Sequence, residues 1–427
     1  MLKIGHRVKV PLALKGGKRG RHNSEIPVPE SLETTPGIPQ DPQTVDFYSR
    51  NFPLESDNVA NGAYWRWDWD ASDIAEAIHE NWAIHKSTVK AAYRSGDLEP
   101  TAVAEPNRDV TRLIKQRALE LGFSMVGITG YDHRYTYESK RDWVKPFPHA
   151  ICLAMEQPFG ETQKIPQESS ERAVFVTYRR MGVSALELGD YIRSLGYHAQ
   201  VHDTYNDAAP VIPMFVAAGM GQVGASGYLL SPQFGSRVRL MIMTTDALVS
   251  HDRPVDYGVH AFCSICQVCV NRCPGRALTR EKVWWRGVEK HKIIGERCRP
   301  VMSRYSMCGV CMKVCPIQRF GLKPVMEHYA ATAQVLGKGT HGLEGYAMAG
   351  LGYFGPGDLP TFESSFFDIP SGTMEQRAVG ELLTVLKDKG TGSGPHTDTE
   401  AAQLLEKLRE SALEPNDFTK VQLETLG

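Results

Sequence analysis

Eight of the nine cysteines in this 427-residue chain lie between Cys263 and Cys315, and their spacing constrains the fold more than any other feature. Cys263, Cys266, Cys269 and Cys273 run into Pro274 as CxxCxxCxxxCP. Three thiolates at three-residue steps curl around one iron-sulfur cubane, while the fourth, past a turn, points at a neighbouring one. A second set follows in Cys308, Cys311 and Cys315 with Pro316. There Tyr305 stands where a first cysteine would complete the run, and Cys298, seven residues earlier, can supply that thiolate from a longer loop. The crossover rule for paired runs assigns Cys263, Cys266, Cys269 and Cys315 to one [4Fe-4S] cluster and Cys273, Cys298, Cys308 and Cys311 to the other. Structural zinc sites use paired CxxC units across a longer spacer, which disfavours zinc. A disulfide framework is not expected in so long a chain without a secretory signal. Cys152, inside an apolar strand, reads as a small buried hydrophobe.

The first run is similar to that of bacterial ferredoxins and implies a ferredoxin-like double-cluster domain over residues 256–330. Two adjacent clusters form an electron wire, and a simple carrier would not need the hundreds of residues that remain. At roughly 100 to 200 residues per domain, the length allows about two to four domains. A composition 42% hydrophobic and 23% charged excludes disorder as the main theme, and a net charge of −1 gives no support to nucleic-acid binding through overall charge. No apolar run approaches the roughly 18 to 20 residues of a membrane span. Residues 1–22 carry seven cations and no acid, with neither a signal-peptide core nor a twin arginine before a hydrophobic stretch. The expectation is a cytoplasmic protein with a solvated basic tail, although a processed exported form would look the same.

Residues 1–105 read as an extended, proline-rich arm, an aromatic anchor YWRWDWD at residues 64–70, and a first helix over 72–92 that Ser72 can cap. The following stretch, 106–255, alternates helix and strand: helices over 109–121 and 178–195, strands over 124–128, 150–155 and 238–244. That pattern predicts an α/β or α+β core. Residues 331–427 hold a glycine- and aromatic-rich segment, expected to complete the core, a helix over 374–389 and a charged terminal helix from 399.

TYRRMG at 177–182, YIRSLGYHA at 191–199, YNDAA at 205–209, AAGMGQVGASGYLLSPQFGSRVRL at 217–240 and FGPGDLPTFESSFFDIP at 354–370 flank the cysteine runs in an order that resembles the reductive dehalogenases. The resemblance implies a nitroreductase-like core holding cobalamin with its base detached and no protein ligand below cobalt, two [4Fe-4S] clusters, and replacement of a carbon-halogen bond by carbon-hydrogen in a halogenated organic substrate. The chain has no Asp-x-His-x-x-Gly, the pattern that places a histidine under cobalt, which agrees. Tyr178 matches the family's proton-donating tyrosine, Arg239 or Arg237 its arginine, and Asn206 the amide that orients the tyrosine and the leaving halide. Gly219, Gly221, Gly224, Gly227 and Gly235 leave room for close backbone approach to a large flat cofactor.

Each of these residues also has a plainer reading. Tyr178 suits a helix core, Asn206 a turn, the arginines a surface or cofactor-edge cation, and the glycines ordinary loop packing. Tyr353, Phe354, Phe366 and Phe367 suit a substrate pocket or a core. The chain ends too soon for the flavin and ferredoxin reductase module of some catabolic members, so an external ferredoxin or flavodoxin is the expected electron donor, docking near Trp284, Trp285, Lys290, Lys292 and Arg297. Two other functions remain open. One is an epoxyqueuosine reductase acting on transfer RNA, which would need a basic RNA-binding face and helical repeats that the sequence does not display. The other is a non-catalytic electron-transfer or corrinoid-handling protein.

Overall fold

In a computed structural model of the chain, residues 72–136, 140–285 and 288–367 are described. The basic arm, the YWRWDWD stretch and the two C-terminal helices expected from sequence lie outside these residues.

The central element is a four-stranded sheet of β1 (Met125–Gly130), β2 (His149–Glu156), β6 (Val238–Thr245) and β3 (Ala199–His202), in the order β1-β2-β6-β3. Every neighbouring pair is antiparallel, with β2 and β6 in register from His149 opposite Thr245 to Glu156 opposite Val238. An antiparallel sheet with helices on it is an α+β arrangement. Strand β2 shows why it forms there. Ala150, Cys152 and Ala154 turn to one apolar cluster while Ile151, Leu153 and Met155 turn to another, so both faces are buried.

Helices α1 (Ala75–Arg94), α2 (Thr111–Glu120) and α3 (Glu168–Ser194) cover the second face. On α3, Met181, Ala185, Leu188 and Ile192 recur at helical spacing and are fully buried. The helix begins ten residues before the predicted start at Tyr178, because residues 168–177 continue the same face with Val174 and Phe175. It stops where Gly196 takes φ +94 and a Cβ would strike the Ala104 backbone. On the opposite face lie α4 (Ile212–Ala217) and the hairpin of β4 (Gln222–Val223) and β5 (Leu229–Leu230), with Phe215, Met220 and Phe234 in the core.

The cysteine module follows. Cys263 and Cys266 on α5 (Val259–Cys266) share an apolar cluster with Val301 of α6 (Gly295–Arg304), Val310 of α7 (Val310–Lys313) and Ile317 of α8 (Pro316–Phe320). Leu343, Tyr346 and Met348 also join this cluster, so the described part of the late segment packs on the cysteine module rather than on the sheet. Arg237 ties module and sheet together by donating to the Gln318 carbonyl at 3.0 Å, while Asp252, just before the module, is held on the sheet half by Lys115 Nζ at 2.6 Å and the Ile128 amide at 2.8 Å. No helix among the described residues is long and apolar enough to cross a membrane.

Candidate functional site

Which thiols feel one another divides the eight cysteines into two groups. Cys263, Cys266, Cys269 and Cys315 interact with one another, as do Cys273, Cys298, Cys308 and Cys311, while Cys269 also packs against the cluster of Cys273 and Cys308 against that of Cys263. The partition coincides with the one that the crossover rule gives. Burial pushes the thiols up, Cys263 and Cys298 to about 12 and Cys315 to about 11. Backbone amides turned onto the sulfurs oppose this: Ala225 on Cys263, Val268 on Cys266, Met312 on Cys311, Ile317 and Gln318 on Cys315. The Ala277 amide reaches Cys273 Sγ at 3.2 Å. Beside Cys308 the chain runs left-handed over four residues, Ser306 to Gly309, with φ between 46° and 78°. At about 1 kcal/mol or more for each non-glycine residue this backbone is costly, and it aims the Gly309 and Val310 amides at the Cys308 sulfur. Among the described residues no three of His, Cys, Asp and Glu converge on a single metal ion. An all-thiol, amide-cradled donor set in two fours fits two multi-iron cores.

The sheet edge beside the second group carries the other notable constellation. Tyr178, half-buried on α3, has the Arg239 guanidinium 5.7 Å from its ring centroid. Burial raises the phenol above its ordinary range, and the charge and hydrogen bond of Arg239 pull it partly back. Arg239 donates from Nε to Gln157 Oε1 at 3.1 Å and also from Nη2 to the same oxygen. Its Nη2 lies 3.9 Å from the sulfur of Met312, the residue after Cys311. Tyr228 joins Arg239 to this thiol group, its phenol raised by burial and by Cys311 and Cys298. Glu171, also on α3, is raised to about 7 by burial against the pull of Arg239. Tyr205 packs edge-on to Tyr178 at 5.9 Å and accepts from Asn81 Nδ2 at 2.5 Å.

The two candidate arginines separate. Arg237 precedes β6 rather than sharing its face with Arg239, and it is fully buried, its Nε 2.7 Å from Glu156 Oε1 and its Nη1 on the Phe234 and Gln318 carbonyls. That guanidinium is committed to the junction with the cysteine module. Asn206 is 1% exposed and accepts Lys140 Nζ at 2.7 Å, while its Nδ2 has no partner. Thr204 Oγ1 and Asp207 Oδ1 on the same loop are likewise buried without partners.

Glycine packing is directed inward. A Cβ at Gly221 would meet the Leu230 carbonyl at 2.5 Å, at Gly224 the Leu230 side chain at 2.7 Å, and at Gly235, with φ +55, Gln318 Cα at 2.5 Å. At these positions the loop-packing reading describes the geometry; Gly219 and Gly227 take positive φ. The aromatic candidates also lie elsewhere. Phe366 stacks on Phe362 and Phe367 meets it edge-on, near Arg304 and Arg297 respectively, Phe354 lies against Tyr346, and Tyr353 is exposed beside His341. On the expected docking surface Lys290 is buried and Arg297 Nε donates to the Gly275 carbonyl at 2.7 Å; the Trp284 and Trp285 side chains lie outside the described ones. Sequence reasoning missed Gln157, Glu171, Tyr205, Tyr228, Lys140 and Met312. Only Glu171 left a signal, its seven-residue spacing from Tyr178 on one helix face.

The proteins this chain resembles are oxidoreductases. No family model matches the chain. It is 28% identical over 222 residues to the tetrachloroethene reductive dehalogenase of Dehalobacter restrictus, covering 42% of this chain and 40% of that protein. To the enzyme of the same name from Sulfurospirillum multivorans it is 30% identical over 178 residues, 39% of this chain and 34% of the relative. The chain thus spans well under half the length of these dehalogenases. It is also 26% identical over 265 residues to the epoxyqueuosine reductase of Escherichia coli, 51% of this chain and 67% of that one. A solved reductive dehalogenase, described in terms of B12-dependent dehalogenation, shares the fold at TM-score 0.54 and 23% identity, over 75% of this chain and 48% of that one.

Proposed function

We propose that this protein is a cobalamin- and iron-sulfur-dependent reductive dehalogenase. The observation that carries the reading is the pairing of Tyr178 with Arg239 beside the thiol group of Cys273, Cys298, Cys308 and Cys311. Bound [4Fe-4S] clusters would supply single electrons, and bound cobalamin a strongly reducing cobalt. The donor sets fit both groups. The eight thiols suit two clusters. On the loop beside Tyr205, the unpartnered atoms of Thr204, Asn206 and Asp207 would each cost about 1 to 3 kcal/mol if left unpaired, a penalty that a ligand rimmed with amides relieves.

In this reading Tyr178 gives the one proton the product needs. A phenol held above its normal range stays protonated at neutral pH, and Arg239 offsets part of the cost of phenolate when the proton leaves. Gln157 fixes Arg239 in place. Lys140 and Asn206, joined at 2.7 Å, offer a positive charge and an amide suited to a departing halide. Electrons arrive from an external ferredoxin or flavodoxin.

The experiment is anaerobic purification, reconstitution with iron, sulfide and cobalamin, and assay of halide release from chlorinated ethenes and phenols with reduced viologen. Iron near eight atoms per chain, a corrin spectrum and halide release support the reading. Iron uptake without corrin uptake overturns it. Conversion of epoxyqueuosine to queuosine within transfer RNA, with no halide release, replaces it with the epoxyqueuosine reductase function, which the longer coverage of that relative favours.

A further inference from the structure

We infer that Asn81 and His85 of α1 are positioning residues, a clamp that sets Tyr205 against Tyr178 and fixes the turn presenting Asn206. The inference rests on the dehalogenase reading, in which Tyr178 gives the proton and Asn206 meets the departing halide. The inward stripe of α1 runs Ala77, Asn81, His85, Val89 and Ala92, all buried. Two polar side chains stand in the middle of it, 2% and 1% exposed, where packing alone asks for aliphatic ones. A polar group taken out of water is costly unless paired, so the partners of these two point to their role.

Both reach the same turn after β3. His85 Nε2 lies 3.2 and 3.1 Å from the two carboxylate oxygens of Asp203; a carboxylate only accepts, so that nitrogen donates. Asp203 Oδ1 in turn accepts the Tyr205 amide at 3.0 Å, and the Asp203 carbonyl accepts the Asn206 amide at 2.7 Å. The carboxylate that His85 holds therefore shapes the backbone from which Tyr205 and Asn206 project. One turn earlier on α1, Asn81 donates from Nδ2 to the Tyr205 hydroxyl at 2.5 Å. Its Oδ1 accepts from Arg179 Nη1 at 2.7 Å, and Arg179 is the residue after Tyr178. One amide thus ties the tip of Tyr205 to the stretch of α3 that carries Tyr178. The Tyr205 ring meets His85 at 5.2 Å and Tyr178, edge-on, at 5.9 Å. Helix α3 makes room for the clamp at Gly182, one turn past Tyr178, where a Cβ would come within 2.9 Å of both Asp203 Oδ2 and His85 Cε1. Asn81 and His85 act on the chemistry through Tyr205 and the turn.

Two measurements on the holoenzyme test this. With fluorotyrosine incorporated, the Tyr205 fluorine resonance of the oxidised protein, assigned through Tyr205→Phe, is expected to lie away from that of free fluorotyrosine and to move most of the way back in His85→Ala. A resonance that stays in place overturns the clamp, whatever the activity. With halogenated substrate and reduced viologen, His85→Ala and Asn81→Ala are each expected to lose about 10- to 100-fold in kcat with KM nearly unchanged, the cost of misplacing reacting groups by about 1 Å. His85→Gln, which can still donate to Asp203, is expected to recover most of that loss. Val89→Ala, which trims a buried side chain one turn further along the same stripe, is expected to lower the thermal midpoint as His85→Ala does while keeping kcat. An equal loss of kcat in Val89→Ala, or no recovery in His85→Gln, makes the pair a structural support and overturns the inference. A native holoenzyme inactive on every organohalide overturns instead the dehalogenase reading, and the fluorine resonance still reports whether His85 holds Tyr205.

Discussion

At the scale of single residues, the resemblance singled out Tyr178 and Arg239, which the structure places together, but not what surrounds them. Their helix and strand positions followed from periodicity, yet Gln157 and Tyr228 reach them from loops, where chain spacing carries no signal. If Tyr178 is the proton donor, Tyr178→Phe should cut dehalogenation at least about 100-fold while iron and corrin stay bound, since a positioned acid contributes about 10²- to 10⁴-fold. Unchanged halide release with both cofactors present would remove Tyr178 from the mechanism. His202 makes a separate test. It is fully buried, with Nε2 3.0 Å from Thr244 Oγ1 and Nδ1 unpartnered, and burial lowers it from 6.5 to about 3. The unfolded chain binds this proton below pH 6.5 and the folded chain does not. Its contribution is therefore intact above 6.5 and lost as pH falls toward 3, by about 1.4 kcal/mol per unit. Denaturant unfolding of His202→Gln should show a shallower acid loss than the native protein between pH 6 and 4, and equal slopes would refute the assignment.

Among elements, the regular ones were the legible part. Strands at 124–128, 150–155 and 238–244 appear within two residues of their expected ends, because alternation against two buried faces leaves them little choice of register. Strand β3 was missed because AQVH is too short to show a period. The glycine-rich loop was less legible for a different reason: spacing shows that a side chain is forbidden, not what forbids it. At Gly235 the obstacle is the Gln318 backbone from the cysteine module, so the loop is a seam between the two halves. Gly235→Ala combines that clash with a left-handed φ that alanine adopts at a cost of about 1 kcal/mol or more. Its thermal midpoint should fall by several degrees, and because the seam carries α8 next to Cys315, iron content should fall with it. A variant as stable as the native protein would mean that the seam yields freely.

On the scale of the whole molecule, the cysteines were readable because a cluster imposes its own geometry on whatever chain surrounds it. The contact between the halves was not, since it depends on Arg237 meeting a carbonyl 81 residues away. The arrangement gives the two thiol groups different neighbours: Met312, one residue beyond Cys311, touches Arg239, while Cys263 lies against Gly224 of the hairpin. Electrons would then enter by the group of Cys263, Cys266, Cys269 and Cys315 and leave by the other. Replacing a ligand of each group separates the roles. Cys298→Ser should lower iron toward about four atoms per chain and abolish halide release, while the surviving cluster is still reduced by viologen in electron paramagnetic resonance. Cys266→Ser should likewise lose one cluster, but a small soluble reductant able to reach the remaining one directly should sustain part of the halide release. If Cys298→Ser keeps activity and Cys266→Ser loses all of it, the order of the wire is reversed.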